Sequence, residues 1–97
     1  MKLPIIDVKA TGTNIARIRK LRGLSVKDLQ GYFGFEGPQA IYKWQWGQCL
    51  PSIDNLFALS RIFNMSIEEI LVEKEPAKIS FFIVKTIVIL IIIYFNL

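Results

Sequence analysis

The stretch from Leu24 to Gly47 constrains this chain more than any other part of it. Its apolar residues recur at helical spacing: Leu29 and Phe33 are four apart, Ile41 and Trp44 three apart. Glycines punctuate the space between the two runs and close the second at Gly47. Ser25 followed by Asp28 is a variant of the capping box, and it predicts a helix over Val26 to Phe33 with Gly34 ending it. Pro38 suits a first helical position, where no amide hydrogen is needed, and Gly37 is a permissible cap before it. The second helix is therefore expected over Pro38 to Trp46, with Ile41 and Trp44 inward. Gly31 inside the first helix costs about 1 kcal/mol relative to Ala, so that helix depends on packing against the rest of the fold.

The flanking segments supply the partners. A helix is expected over Asn14 to Arg22, capped by Thr13 and stopped by Gly23, with Ile15, Ile18 and Leu21 on one face. Residues 1–12 read as an arm: Pro4 blocks regular helix, Ile5, Ile6 and Val8 suit a short extended piece, and Gly12 ends it. Ser52 after Pro51 predicts a helix over Ile53 to Phe63, with a stripe of Ile53, Leu56, Leu59 or Ser60, and Phe63, and with Asn64 taking the left-handed turn. Ser66 and Glu69 form a full capping box for a last short helix over Ile67 to Glu73, and Pro76 then breaks the chain. The expectation is an all-α bundle of five short helices at residues 13–74, between the arm and a linker with an apolar tail at 75–97.

Composition narrows the function. At 97 residues the chain has room for one domain. Residues 1–50 carry Lys2, Lys9, Arg17, Arg19, Lys20, Arg22, Lys27 and Lys43 against Asp7, Asp28 and Glu36, a net +5. Residues 51–75 carry Arg61 and Lys74 against Asp54, Glu68, Glu69, Glu73 and Glu75, a net −3. A basic half beside an acidic one suits a polyanion-facing surface with a solvated back. With no histidine and the single Cys49, expected to be partly buried near a turn, neither a disulfide within the chain nor a Cys/His metal site can be assembled. No catalytic constellation is expected, and no cofactor or metal: Cys49 lacks a base partner, and Glu68 and Glu69 sit where acids favour a helix dipole. A free thiol and an N-terminus without an apolar leader point to the cytoplasm.

With the flanking helices in order, residues 13–71 resemble the Cro/lambda-repressor type of helix-turn-helix domain, the Xre family. The resemblance rests on Ile15-Ala16-Arg17-Ile18-Arg19-Lys20-Leu21-Arg22, Gly23-Leu24-Ser25, Leu29, Phe33-Gly34, Ile41, Lys43-Trp44, Gly47, Pro51-Ser52, Leu56, Leu59 and Ser66 to Leu71, about three fifths of the chain. It implies a lambda-repressor-like fold, binding to double-stranded DNA as a homodimer, and transcription regulation in a bacterium or phage. Such domains lay their third helix in the major groove. Carried over by position, Gln39 and Lys43 become the base-reading candidates: Gln pairs with adenine, Lys donates to guanine. Tyr42 beside them would touch a thymine methyl or a phosphate, or pack on the surface. Phosphate contacts fall to Lys27 at the start of the second helix, Gln48 after the third, and Arg17 and Lys20 on the first. The competing class is an interaction module of the same fold, antitoxin-like or a membrane-tethered scaffold.

The chain departs from the family pattern at several positions. Val26 stands where Gln is usual, and Gln30 where a helix-facing Ala is usual. The turn Gly34-Phe35-Glu36-Gly37 is one residue longer, which would make room for Gln30. Gln45 replaces a Glu that pairs with an Arg of the first helix, so it is expected to face Arg19 through a neutral-to-charged hydrogen bond. Trp46 stands where a polar residue is common, placed either to stack on DNA sugar or to cover the core. Glu36 adds a negative charge near the DNA-facing side.

From Ile79 to Phe95 the tail is an apolar run broken by Lys85. Its length is at the lower limit for a membrane-crossing helix, about 17 residues. Three readings stay open: a membrane anchor through residues 79–95 tethering the domain to the inner face, a strand or helix buried in a dimer, and unselected coding sequence rich in AT-codon residues.

Overall fold

The computed structural model describes residues 3–75 and 78–95. They form six helices: α1 (Val8–Leu21), α2 (Val26–Phe33), α3 (Gln39–Gln45), α4 (Ile53–Phe63), α5 (Ile67–Ile70) and α6 (Lys78–Tyr94). The first five make the expected all-α bundle. Pro76 and the break expected there lie outside the described residues.

Where a cap is strong, the helix starts where the sequence says. Ser25 caps α2 with the reciprocal box complete, Ser52 caps α4 by accepting the Asn55 amide, and Ser66 with Glu69 caps α5. Asn64 does take the left-handed conformation that ends α4, at φ 54°.

Helix α1 differs. It starts six residues before the expected Asn14, because Asp7 is its cap and accepts the Ala10 amide at 2.9 Å. Thr13 lies inside the helix and donates to the Lys9 carbonyl. Gly12, read as the end of an arm, is a point of close helix contact. A Cβ there would lie 2.8 Å from the Gln45 carbonyl oxygen and closer still to that of Trp44. Removing one methyl lets the α1 backbone rest directly on the end of α3. Thr11 beside it is fully buried, and its hydroxyl accepts the Val72 amide at 2.9 Å.

The residues before α1 do run extended, and their partner is the segment after α5. Asp7 donates to the Val72 carbonyl and Lys74 to that of Ile5, both at 2.7 Å, around an antiparallel bridge between Ile6 and Glu73. This pairing competes with helix, so α5 stops at Ile70 rather than Glu73, and Leu71 turns extended. The two ends of the bundle are thereby clasped.

One core joins the helices: Ile15, Ile18, Leu29, Ile41, Trp44, Leu56, Leu59, Phe63 and Ile70. Full burial of a side chain of this size stabilises by about 1.5–3 kcal/mol. Two expected members are absent. Leu21, the last residue of α1, is 64% exposed and Ile53, the first of α4, 82%. Arg22 instead closes that end of α1, donating through Nε to the Phe63 carbonyl at 2.8 Å.

The tail is helical rather than extended. Among the described residues, however, no helix is long and apolar enough to cross a membrane. The anchor reading of residues 79–95 therefore has no support from the fold. From Val84 to Phe95 the described side chains are exposed, Lys85 included.

Candidate nucleic-acid interface

The candidate interface is built on α2, the turn after it, and α3. At the start of α2 the Ser25 amide donates to Asp28 Oδ2 at 2.8 Å and the Asp28 amide to Ser25 Oγ at 2.9 Å. The bond from the Ser25 amide, and after it one from the Ser25 side chain, holds the Asp28 carboxyl below its ordinary pKa. Lys27 sits exposed in this first turn, close to free backbone amides at the helix N-terminus. That pairing of an ammonium and a helix start suits a phosphate.

The long turn is ordered from inside. Gln30 Nε2 donates to the carbonyls of Phe35 and Glu36, each at 3.3 Å, so the unusual glutamine and the extra turn residue depend on each other. Phe35 folds back to stack on Phe33, with centroids 5.0 Å apart and planes 9° apart, and both rings meet Trp44 edge-on. The sequence pattern alone did not mark Phe35, because a single aromatic in a turn has no periodicity to place it.

Helix α3 buries Ile41 and Trp44 and turns Gln39, Tyr42, Lys43 and Trp46 outward. Those four fall at i, i+3, i+4 and i+7, one face of a helix. Gln39 and Lys43 are exposed; the Gln39 amide lies over Gly37 of the turn. Tyr42 is half-buried and stacks on Trp46, centroids 5.3 Å and planes 19° apart. Trp46 is 62% exposed, so it covers Tyr42 and not the core. Gln45 takes its expected place, accepting from Arg19 Nε at 2.8 Å, while Arg19 Nη1 donates to the Leu24 carbonyl. That one guanidinium ties α1 to both ends of the helix-turn-helix.

Of the expected phosphate-binding side chains, Lys27, Lys20 and Gln48 are exposed. Arg17 is exposed too, but it is turned away. Its Nε and Nη2 donate to Asn14 Oδ1 at 3.1 and 2.8 Å, and Asn14 in turn donates to the carbonyls of Glu69 and Ile70 at the end of α5. A basic residue missed in the sequence lies by the end of α3. Gly47, at φ 73°, packs against the backbone of Lys9, which sets that exposed lysine beside Gln48 and the end of α3. Lys9 and Lys20 are eleven residues apart, about three helical turns, and so share the α1 flank next to α3. Lys9 escaped notice because residues 1–12 did not read as helix. Cys49 is exposed in the same loop rather than partly buried. Among the described residues no group of three or more His, Cys, Asp or Glu forms a metal site.

Solved structures share this arrangement. The DNA-binding domain of BldD aligns with 68% of this chain and 94% of its own at a TM-score of 0.59 and 19% identity. The restriction-modification controller protein C.AhdI from Aeromonas hydrophila aligns with 66% of this chain and 96% of its own, at 0.59 and 22%. The S. venezulae BldD DNA-binding domain gives 68%, 97%, 0.58 and 18%. At these identities the likeness is one of fold. No curated protein sequence matches significantly. The helix-turn-helix family model matches residues 15–70, more than half of the chain. The chain belongs to the helix-turn-helix family of the Cro/C1 type.

Proposed function

We propose that this protein is a transcription regulator that binds double-stranded DNA sequence-specifically through α3. The observation that carries the reading is the outward face of α3, where Gln39 and Lys43 stand exposed on a helix seated by Trp44, Ile41 and the Arg19–Gln45 bond. In the major groove Gln39 pairs with an adenine and Lys43 donates to a guanine. Lys27, Gln48 and Lys20 hold the phosphates on either side, joined by Lys9. Arg17 reaches a phosphate only by leaving Asn14, so it contributes least. The protein acts as a homodimer on half-sites about 34–36 Å apart, as helix-turn-helix dimers do, in the compartment that holds DNA. Nothing in the site favours the interaction-module alternative.

Selection of bound duplexes from a random pool by the full chain tests this. A recovered motif with inverted half-sites supports it. Recovery of unenriched sequence at low salt refutes it.

A further inference from the structure

The face of α3 carries more than its two polar readers. A tryptophan 62% exposed at the surface of a small domain is unusual, since large aromatic rings are mostly covered. Here it is also held in place. Trp46 is the C-cap of α3, followed by the left-handed Gly47 that packs on Lys9, and its ring lies flat against Tyr42. Tyr42 in turn is half-buried. The two rings form an apolar wall on the same face as Gln39 and Lys43, already stacked on each other.

We propose that the Tyr42–Trp46 pair is a specificity element that reads the C5-methyl group of thymine in the major groove. This rests on the reading of α3 as the DNA-contacting helix. The chemistry of the face selects the ligand. Apolar surface in the major groove is scarce, and the thymine methyl is the group there that an apolar side chain recognises. The adjacent Gln39 suits adenine, so amide and rings together fit an A·T step: hydrogen bonds to the purine, methyl against the wall. The net +5 of residues 1–50 brings the polyanion to this side. Because the rings are already stacked, little side-chain freedom is lost on contact, and the gain from covering a methyl is kept.

The test replaces thymine by deoxyuridine, which removes the methyl and nothing else. The duplex is the preferred sequence from the random-pool selection, with substitutions at single thymines across each half-site. For the wild-type chain, at least one substitution is expected to weaken binding roughly fourfold, the worth of one buried methyl group. Trp46→Ala, and separately Trp46→Phe, are then titrated against both duplexes. Trp46→Ala is expected to bind the thymine duplex several-fold more weakly and to show no further loss with deoxyuridine; Trp46→Phe keeps part of the discrimination. Thermal unfolding checks that both variants fold, and if Trp46→Ala does not, the wild-type titrations and Trp46→Phe still decide. Equal affinity of the wild type for thymine and deoxyuridine duplexes overturns the proposal and leaves DNA binding intact. An undiminished deoxyuridine penalty in folded Trp46→Ala also overturns it. Absence of binding to any duplex removes the DNA reading itself.

Discussion

Two glycines lie inside helices, and the same substitution should act on them in opposite directions. At Gly31, in α2, a methyl meets nothing within 4 Å. Gly31→Ala therefore keeps only the helix-propensity gain, about 0.8–1 kcal/mol. At Gly12, in α1, the new methyl would meet the main-chain oxygens of Trp44 and Gln45, the latter at 2.8 Å. Main-chain atoms have no rotamer to escape into, so α1 and α3 must separate. Overpacking of this kind costs about 1–3 kcal/mol, at times more, which outweighs the propensity gain. For a domain of this size each kcal/mol moves the midpoint by about 4–8 °C. Thermal unfolding followed by helical circular dichroism should show Gly31→Ala melting several degrees above the wild type and Gly12→Ala melting below it. Gly12→Ala should also weaken DNA binding, because the displaced helix is the one that carries Gln39 and Lys43. A Gly12→Ala variant as stable as Gly31→Ala would refute the close seating of α1 on α3, and with it the reason that glycine stands at position 12.

Three further outcomes are expected. Gln30→Ala removes two side-chain hydrogen bonds to the turn and should cost about 1 kcal/mol in urea unfolding, with a larger loss of duplex affinity than its exposure suggests. Asp28 has a folded pKa below its ordinary 3.8; its contribution is present above that ordinary value and is lost as pH falls through the folded one. The stability gap between wild type and Asp28→Asn should thus be constant near neutrality and close below about pH 3.8, which acid titrations of both proteins measure. Lys9→Ala should leave the melting point near that of the wild type and reduce the slope of log affinity against log salt by about 0.9 per site; an unchanged slope removes Lys9 from the phosphate-binding set.

How much of this was legible depended on the kind of signal. Helices α2 and α4 were readable end to end because Ser25, Ser52, Gly34 and Asn64 are local signals with local causes. The start of α1 was not, because Thr11-Gly12-Thr13 reads as a break and only contact with α3 shows why glycine stands there. The clasp of residues 5–7 on 72–74 joins the two ends of the bundle, so no local pattern announces it. Leu21 and Ile53 fit their helical stripes but stand exposed at helix ends, which periodicity cannot see. The Arg19–Gln45 bond was foreseen because Gln45 stands where the family's Glu faces that arginine, and the coupling of Gln30 to the long turn because the two departures lie close together; the hydrogen bonds that make the coupling were not. Phe35, Lys9 and the Tyr42–Trp46 stack emerged only in three dimensions.

The most direct measurement compares wild type with Gln39→Ala/Lys43→Ala on the selected duplex and on a scrambled one of equal length, by fluorescence anisotropy at two salt concentrations. Base contacts are worth about 1–3 kcal/mol each. If α3 reads the groove, the double variant should lose roughly a hundredfold or more on the selected duplex. Its affinity for the scrambled duplex should fall by far less, through the one lost lysine charge, so the two duplexes become nearly equivalent. A double variant that folds and still prefers the selected duplex as strongly as the wild type would contradict the assignment of α3 as the reading helix.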